Sequence, residues 1–411
     1  MRNINGHVLL VVRRYPHRSQ TFIVNELQGL LAAGVDVRLL SLRGVNRALM
    51  KKWPEAAATA PFVIAGNVGY RVRHKPVTIL CAWIRCLFGG MLSYARDGKR
   101  IKTARLLAAS AFAGIGRFSV IHYQAGGLAR LYCSMDIPHH RDTRLFVSFR
   151  GKEITSAPPE QLKRRYAQVA QRVDIALPVC TAFADRLRTQ LGFTRAIHVH
   201  YSGIRTDFFA VDESVLAARL NSNEIVVYTA GRITQKKGMA ETIRAFAAAE
   251  PRVRESGRSL RLVVAGNGPE RSAVQRLVQE LGLDSCTELR GAFGPNEHRD
   301  QLAASHIFVS HNITAQDGDQ EGIPNVLKEA MAAELPVVAT YHSGTPELVQ
   351  DGVEGFLVEE FDVAATADRI VQLALDPALR RTMGERGRTT VETRFDIGVT
   401  SAQLRRLYEA E

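Results

Sequence analysis

In the run DGDQEGIPNVLKEAM (residues 317–331) two carboxylates, Glu321 and Glu329, bracket a helix start with seven residues between them. Pro324 suits the first turn of a helix, where its missing N–H costs nothing. The helix is expected to continue through NVLKEAMAAEL to Pro336. Its free N–H groups and positive dipole end then face back toward Glu321, Gly322 and Ile323, a ready anion site suited to a phosphate. Glu321 stands before the helix, at its mouth, and Glu329 reaches sideways from about two turns in. A ligand whose hydroxyl-bearing parts flank a phosphate would meet both acids, and a nucleotide sugar (ribose, diphosphate, hexose) is such a ligand. The alternative is that the two acids only charge the first turns of a helix.

Two further loops could serve the same phosphate. AGRITQKKG (230–238) follows the strand-like run EIVVYT, so Arg232 and Lys237 lie at a strand's carboxyl end. A guanidinium there can fork onto diphosphate oxygens and an ammonium can add a point charge. AGNGPE (265–270) follows LRLVV, and Gly266 and Gly268 permit close backbone approach. Arg271 stands where a dinucleotide fingerprint would need its third glycine, which counts against a dehydrogenase. The D-G-D at 317–319 resembles a metal-binding D-x-D but needs no metal to be explained, and no metal site is expected.

The elements that would position these residues alternate. Strand-like runs HVLLVV, VDVRLLSL, FSVIHYQ, RLFVSF, DIALPV and AIHVHYSG fill the first half; EIVVYTAG, LRLVVAG, CTELRG, HIFVSH, PVVAT and GFLV fill the second, each set interleaved with longer helix-like runs. This is the pattern of parallel sheets with crossover helices. It occurs twice, with a break near residues 203–222, and 411 residues suit two domains better than one. The reading is α/β, two doubly wound Rossmann-like domains facing across a cleft, with ligands at the carboxyl ends of the strands. Pro158-Pro159 sets the start of a helix whose Lys163-Arg164-Arg165 run reads as a solvated face.

Composition and charge narrow the classes. The chain is 46% hydrophobic and 23% charged, which is ordinary for a globular protein and argues against disorder. Residues 1–210 hold 32 Lys and Arg against 11 Asp and Glu, a net of +21; residues 211–411 hold 22 against 30, a net of −8. The basic half points to nucleic acid, an anionic membrane surface or phosphate-bearing substrates. Aromatics are only 7%, with no recognised motif interleaving them with basic residues, so nucleic acid is disfavoured as a partner. Five cysteines show neither a C-x-x-C pair nor zinc spacing, which fits thiols in a reducing compartment. The opening run MRNINGHVLLVVRRYP is too short in its apolar part for a signal peptide and reads as a first buried strand. Residues 76–94 are apolar with basic flanks, and Arg85 in their middle argues against spanning a bilayer. They read either as a helix packed inside the first domain or as one lying in the membrane interface.

At this point the residues carry a resemblance. EGIPNVLKE resembles the E-x7-E motif of retaining glycosyltransferases of family 4, which adopt the GT-B fold, and GRITQKKG resembles that family's Gly-Arg…Lys-Gly diphosphate loop. YSGIRTDFF (201–209) is similar to the turn that opens the family's second domain, and AGNGPE and residues 336–358 match its pattern too. SQTFIVNEL (19–27) and the 317–331 run resemble the subgroup that builds capsular, exopolysaccharide or colanic-acid-type polymers. The resemblance covers nearly all of the second domain.

It implies the following roles. Arg232 and Lys237 neutralise the diphosphate as it leaves; Glu321 holds donor-sugar hydroxyls beside the backbone of Gly322 and Ile323; Glu329 binds the ribose. Pro324, Asn325, Gly231, Gly266 and Gly268 also fall at the nucleotide sugar. His122 in VIHYQAGG matches a histidine common in the family, though a core histidine reads nearly as well. The first domain departs at SFRGKEI (148–154): Arg150 stands where the family has a histidine facing the donor sugar, with Glu153 at the acidic position. Arg150 then either contacts a bound substrate or pairs with Glu153. No carboxylate nucleophile of the usual retaining kind is evident, and the family is explained by front-face attack without a metal.

The expected protein is a retaining, metal-independent hexosyltransferase with no cofactor beyond its nucleotide-sugar co-substrate. It extends a lipid-linked or oligosaccharide acceptor at the inner face of the cytoplasmic membrane. Residues 1–203 form the acceptor domain, 204–390 the donor domain, and 391–411 a helix packing back on the first. The alternatives are a GT-B nucleotide-sugar epimerase, or a basic nucleic-acid or membrane-binding protein.

Overall fold

The structure is a computed structural model and describes residues 8–17, 20–65, 112, 118–133 and 143–410. Residues 76–94, with Cys81 and Cys86, lie outside them. The chain divides into two compact units: Met1–Val179 with Phe183–His200 and Thr400–Glu411, and Cys180–Ala182 with Tyr201–Val399.

The first unit is built on a parallel sheet. Its strands are β1 (Val8–Val12), β2 (Val37–Ser41), β3 (Val63–Ala65), β4 (Val120–Tyr123), β5 (Arg144–Phe149), β6 (Ile175–Pro178) and β7 (Ala196–Ile197), in the order β3-β2-β1-β4-β5-β6-β7. Every residue of β1 is buried, as a strand covered on both faces requires. The helix Thr21–Ala32 lays Ile23, Val24, Leu27 and Leu30 on the sheet at helical spacing. Leu404 and Tyr408 of the last helix, Ile397–Glu409, join the same core. Thus the chain's end from residue 400 belongs with the first unit's sheet.

The second unit carries β8 (Glu224–Ala230), β9 (Ser259–Ala265), β10 (Thr287–Arg290), β11 (Ile307–Ser310), β12 (Val337–Thr340) and β13 (Gly355–Val358), all parallel, in the order β10-β9-β8-β11-β12-β13. The helices Met239–Glu255 and Val363–Leu375 bury Ile243, Phe246, Ile370 and Leu373 in one core with Val227, Leu262 and Val309. Both units have the doubly wound, Rossmann-like α/β architecture.

All twelve strand-like runs contain a strand. AIHVHYSG shortens to β7 at the sheet edge, although the N–H groups of His198 and His200 still reach the carbonyls of Ala176 and Pro178. Sequence reading missed β3, a three-residue edge strand only half-buried. The helix at Pro159–Arg172 starts where the two prolines place it.

Candidate active site

In the second unit β8 and β11 are neighbours although β9 and β10 come between them in the chain, so the strand order reverses there. A crevice opens at such a switch point, outside the carboxyl ends of the strands. The loops that leave those ends are 231–238, after β8, and 311–324, after β11. They hold the residues that the sequence singled out.

Lys237 Nζ lies 2.8 Å from Glu321 Oε2, and Lys236 Nζ lies 3.6 Å from the same oxygen and 3.1 Å from Asp319 Oδ1. Burial alone would push the Glu321 carboxyl up. The two ammonium groups override it and hold the acid at about 2, so it is ionised throughout neutral pH. Lys236 in turn is raised, because Glu321 and Asp319 outweigh its desolvation. An ammonium has three donors, so Lys237 keeps N–H groups for a second anion. Arg232 is exposed and makes no ion pair among the described residues. Asp317 Oδ1 accepts the N–H of Asp319, 3.0 Å, a local turn within the D-G-D. Among the described residues no group of three or more His, Cys, Asp or Glu side chains is arranged to hold a metal ion.

The helix Asn325–Ala332 begins as expected, with Pro324 as its N-cap residue. It stops short of Pro336: Glu334 has φ 55°, a left-handed conformation that an α-helix cannot continue through. Gly322, Ile323 and Pro324 are buried at its mouth. The backbone N–H of Glu321 donates to His342 Nε2 (3.0 Å), whose Nδ1 therefore carries the proton and donates to Glu360 Oε1 (2.6 Å). Glu360 also accepts from the Thr314 backbone (2.7 Å). This chain fixes the loop that presents Glu321.

Gly266 and Gly268 do admit a close approach, but of the chain's own backbone. A Cβ at Gly266, where φ is 149°, would lie 1.9 Å from the Gly231 carbonyl oxygen, and one at Gly268 would lie 2.1 Å from that of Ile233. The two loops are zipped by Gly231 N–H to Ala265 O and Ile233 N–H to Asn267 O, 3.0 Å each. Arg271 donates to the carbonyls of Gly266 (3.0 Å) and Arg290 (2.8 Å), closing the ends of β9 and β10.

Glu329 is buried. Its Oε2 meets His298 Nε2 at 3.1 Å, and His298 Nδ1 lies 2.9 Å from the Tyr228 hydroxyl. Phe293 stacks on the imidazole at 4.9 Å between centroids, and Phe209, from the 201–209 turn, meets its edge at 6.0 Å.

The first unit reverses its strand order between β1 and β4, and a second polar cluster lies there. Arg150 Nη2 donates to Glu26 Oε2 (3.0 Å) and Gln124 Oε1 (2.7 Å), and its guanidinium lies 4.2 Å from the Phe22 ring centroid. Gln124 Nε2 donates to Glu26 Oε1 at 2.5 Å. Glu26 is held below its ordinary range: burial pushes it up most strongly, and Arg150, His122, His200 and the Gln124 hydrogen bond together more than offset that. Glu153 accepts the backbone N–H of Arg150 (2.9 Å). His122 is fully enclosed, its ring nitrogens 2.7 Å from the Tyr408 hydroxyl and 2.8 Å from Ser148 Oγ. Burial drives its pKa to about 3, so it is neutral and presents no ring nitrogen outward.

Lys237 and Glu321 therefore meet, Glu329 sits on His298 about one turn, not two, into the helix Asn325–Ala332, and Arg150 pairs with Glu26. Lys236, His342, His298, Glu26 and Gln124 were missed. Lys236 was legible as the neighbour of Lys237, and His342 as a histidine after a strand end.

Residues 212–390 match the family model described as glycosyl transferases group 1. Over 423 residues the chain is 27% identical to WcaL of Escherichia coli (strain K12), named a colanic acid biosynthesis glycosyltransferase, covering 97% of this chain and 98% of that one. It is 24% identical over 407 residues to the amylovoran biosynthesis glycosyltransferase AmsK of Erwinia amylovora, covering 96% and 97%. Among solved structures, Anabaena HepE in complex with UDP and glucose is similar in fold, with a TM-score of 0.67 at 15% identity over 98% of this chain and 99% of that one.

Proposed function

We propose, from the match of residues 212–390 to the group 1 glycosyl transferases and the similarity to colanic-acid and amylovoran glycosyltransferases, that the chain is a glycosyltransferase that transfers a hexose-type sugar, with retention, from a nucleoside-diphosphate sugar to a lipid-linked oligosaccharide in surface-polysaccharide synthesis. The observation that carries this reading is the meeting of Lys236, Lys237 and Glu321 beside the N-terminus of the helix Asn325–Ala332, at the β8/β11 switch point. Arg232, Lys236 and Lys237 take the diphosphate, whose negative charge grows as the sugar leaves. Preorganised cations and a helix N-terminus stabilise that growing charge more than the ground state. Glu321, ionised and held by two lysines, accepts hydroxyls of the donor sugar beside the Gly322 and Ile323 backbone. Glu329 accepts the ribose hydroxyls. Cationic side chains fill the role a metal would otherwise have, so no metal ion enters the proposed step.

In the first unit the Arg150–Glu26–Gln124 cluster takes the acceptor, and His122 supports it from beneath through Gln124, 3.3 Å away. The net charge of +21 in residues 1–210 suits an anionic membrane surface and an acceptor pyrophosphate. Among the described residues no helix is long and apolar enough to cross a membrane, and the proposed site of action is peripheral, at the inner face of the cytoplasmic membrane.

The test is transfer of labelled sugar from a panel of UDP- and GDP-sugars into the lipid-extractable fraction of membranes. Label should move from one donor with wild-type protein and fail to move with Lys237→Ala. Consumption of donor without any acceptor would favour the epimerase reading; no consumption of any donor would overturn both.

A further inference from the structure

Glu329 sits at the end of a relay that the nucleotide-sugar reading does not use. Tyr228, on β8, is fully buried, and His298, on the helix Pro295–Ala303, is 3% exposed. The Glu329 carboxylate only accepts, so the imidazole must donate to it from Nε2, 3.1 Å from Glu329 Oε2. In the neutral ring Nδ1 is then left as an acceptor, and the Tyr228 hydroxyl donates to it at 2.9 Å. The ring cannot swing away: Phe293 covers one face and Phe209 meets its edge.

The consequence is at the carboxylate. A carboxylate has about four lone-pair sites on two oxygens. The imidazole takes one on Oε2, which leaves Oε1 and the rest of Oε2 as acceptors. With the rotation of the group fixed, Oε1 and the remaining side of Oε2 present two acceptors at a fixed separation, the pattern that two neighbouring hydroxyls of one ring match.

We propose that His298, held in one tautomer by Tyr228, is a positioning residue that orients Glu329 to chelate the vicinal 2′- and 3′-hydroxyls of the nucleotide's ribose and so makes the site discriminate ribose from deoxyribose. The inference rests on the nucleotide-sugar reading. It adds to it a reason for the aromatic at the end of the 201–209 turn: Phe209 braces the imidazole.

The experiment is calorimetric binding of UDP and GDP, and of the 2′-deoxy form of whichever binds, to wild type, His298→Phe, His298→Gln and Tyr228→Phe. A hydroxyl donating to a carboxylate is worth about 10- to 100-fold in affinity, which sets the expected ribose preference of the wild type. In His298→Phe that preference should fall to within about threefold while the deoxy nucleotide binds as before, the diphosphate contacts being intact. His298→Gln, which keeps an N–H donor, should retain most of it. Tyr228→Phe leaves the fold a ring of the same shape but removes the donor to His298 Nδ1, and should also lower the preference. If His298→Phe weakens both nucleotides equally, or the preference survives in both His298→Phe and Tyr228→Phe, the positioning role is wrong. If wild type binds neither nucleoside diphosphate, the nucleotide-sugar reading itself fails and this inference with it.

Discussion

Lys237 Nζ and Glu321 Oε2 meet at 2.8 Å between the loops that follow β8 and β11, so the acid before the helix Asn325–Ala332 is already paired with a cation. The pair is a preformed charge balance. A diphosphate would engage the remaining donors of Lys237 and Lys236, leaving Glu321 to accept hydroxyls.

Removal of either partner should therefore be unequal in effect. Lys237→Ala is expected to lower donor turnover by about 100- to 1,000-fold, as loss of a preorganised charge at a leaving group does. Glu321→Gln should leave nucleoside-diphosphate affinity within about threefold, since the proposed contacts of Glu321 are with the sugar. Steady-state kinetics with donor and calorimetry with the nucleotide separate the two. Loss of nucleotide binding in Glu321→Gln would contradict this assignment.

The same pair carries a pH signature. The carboxyl of Glu321 is depressed from 4.5 to about 2 in the folded chain. A depressed carboxyl stabilises the fold above its unfolded value and loses that contribution as pH falls through the folded one. The gap in melting temperature between wild type and Glu321→Gln should be full at pH 7 and shrink between about pH 4.5 and pH 2. A gap that does not change with pH would show that the ion pair contributes nothing.

In the first unit the buried pair of Arg150 and Glu26, 3.0 Å apart, should behave as a unit. Removing one partner strands a charge and costs about 3–5 kcal/mol. Arg150→Met and Glu26→Gln should each be strongly destabilising, and the double variant less so than the sum of the two. Simple additivity in thermal melts would mean that the two side chains do not depend on each other.

The end of the chain is expected to be part of the first unit's fold. Tyr408→Phe removes the hydroxyl 2.7 Å from His122 Nδ1 and leaves that buried nitrogen only the longer contact to Gln124 Nε2 (3.3 Å), at a cost of about 1 kcal/mol. Deleting residues 400–411 strips Leu404 and Tyr408 from the core and should cost far more. Proteolysis of the shortened chain should then cut first within residues 8–200. Unchanged resistance would contradict the packing.

Much of this is legible in the sequence alone. Strands buried on both faces read as continuous apolar runs, so β1, β8, β9, β11 and β12 could be found by composition alone. Glu321, Glu329 and Lys237 were legible because their spacing relative to Pro324 and a strand end is local. What stayed hidden depends on chain segments far apart in sequence. His298 means little until the fold sets it on Glu329, and Glu26 reads as one acid on an amphipathic helix until Gln124 and Arg150 arrive from other strand ends. His122 could be placed at a strand but not oriented; its inward turn follows from Tyr408 on the last helix. β3 gave no signal because an edge strand of three half-buried residues needs no distinctive composition.

The most direct measurement is a thermal-shift comparison of UDP, GDP, ADP and NAD on wild type and Glu329→Ala. A ligand at 100 times its dissociation constant stabilises the fold by about 2.7 kcal/mol, which is an easily read rise in melting temperature. One nucleoside diphosphate should raise the wild-type melting point, the rise should be cut to half or less in Glu329→Ala, and NAD should do nothing. No rise with any nucleoside diphosphate, or a rise undiminished in Glu329→Ala, would contradict a donor site built around the helix Asn325–Ala332.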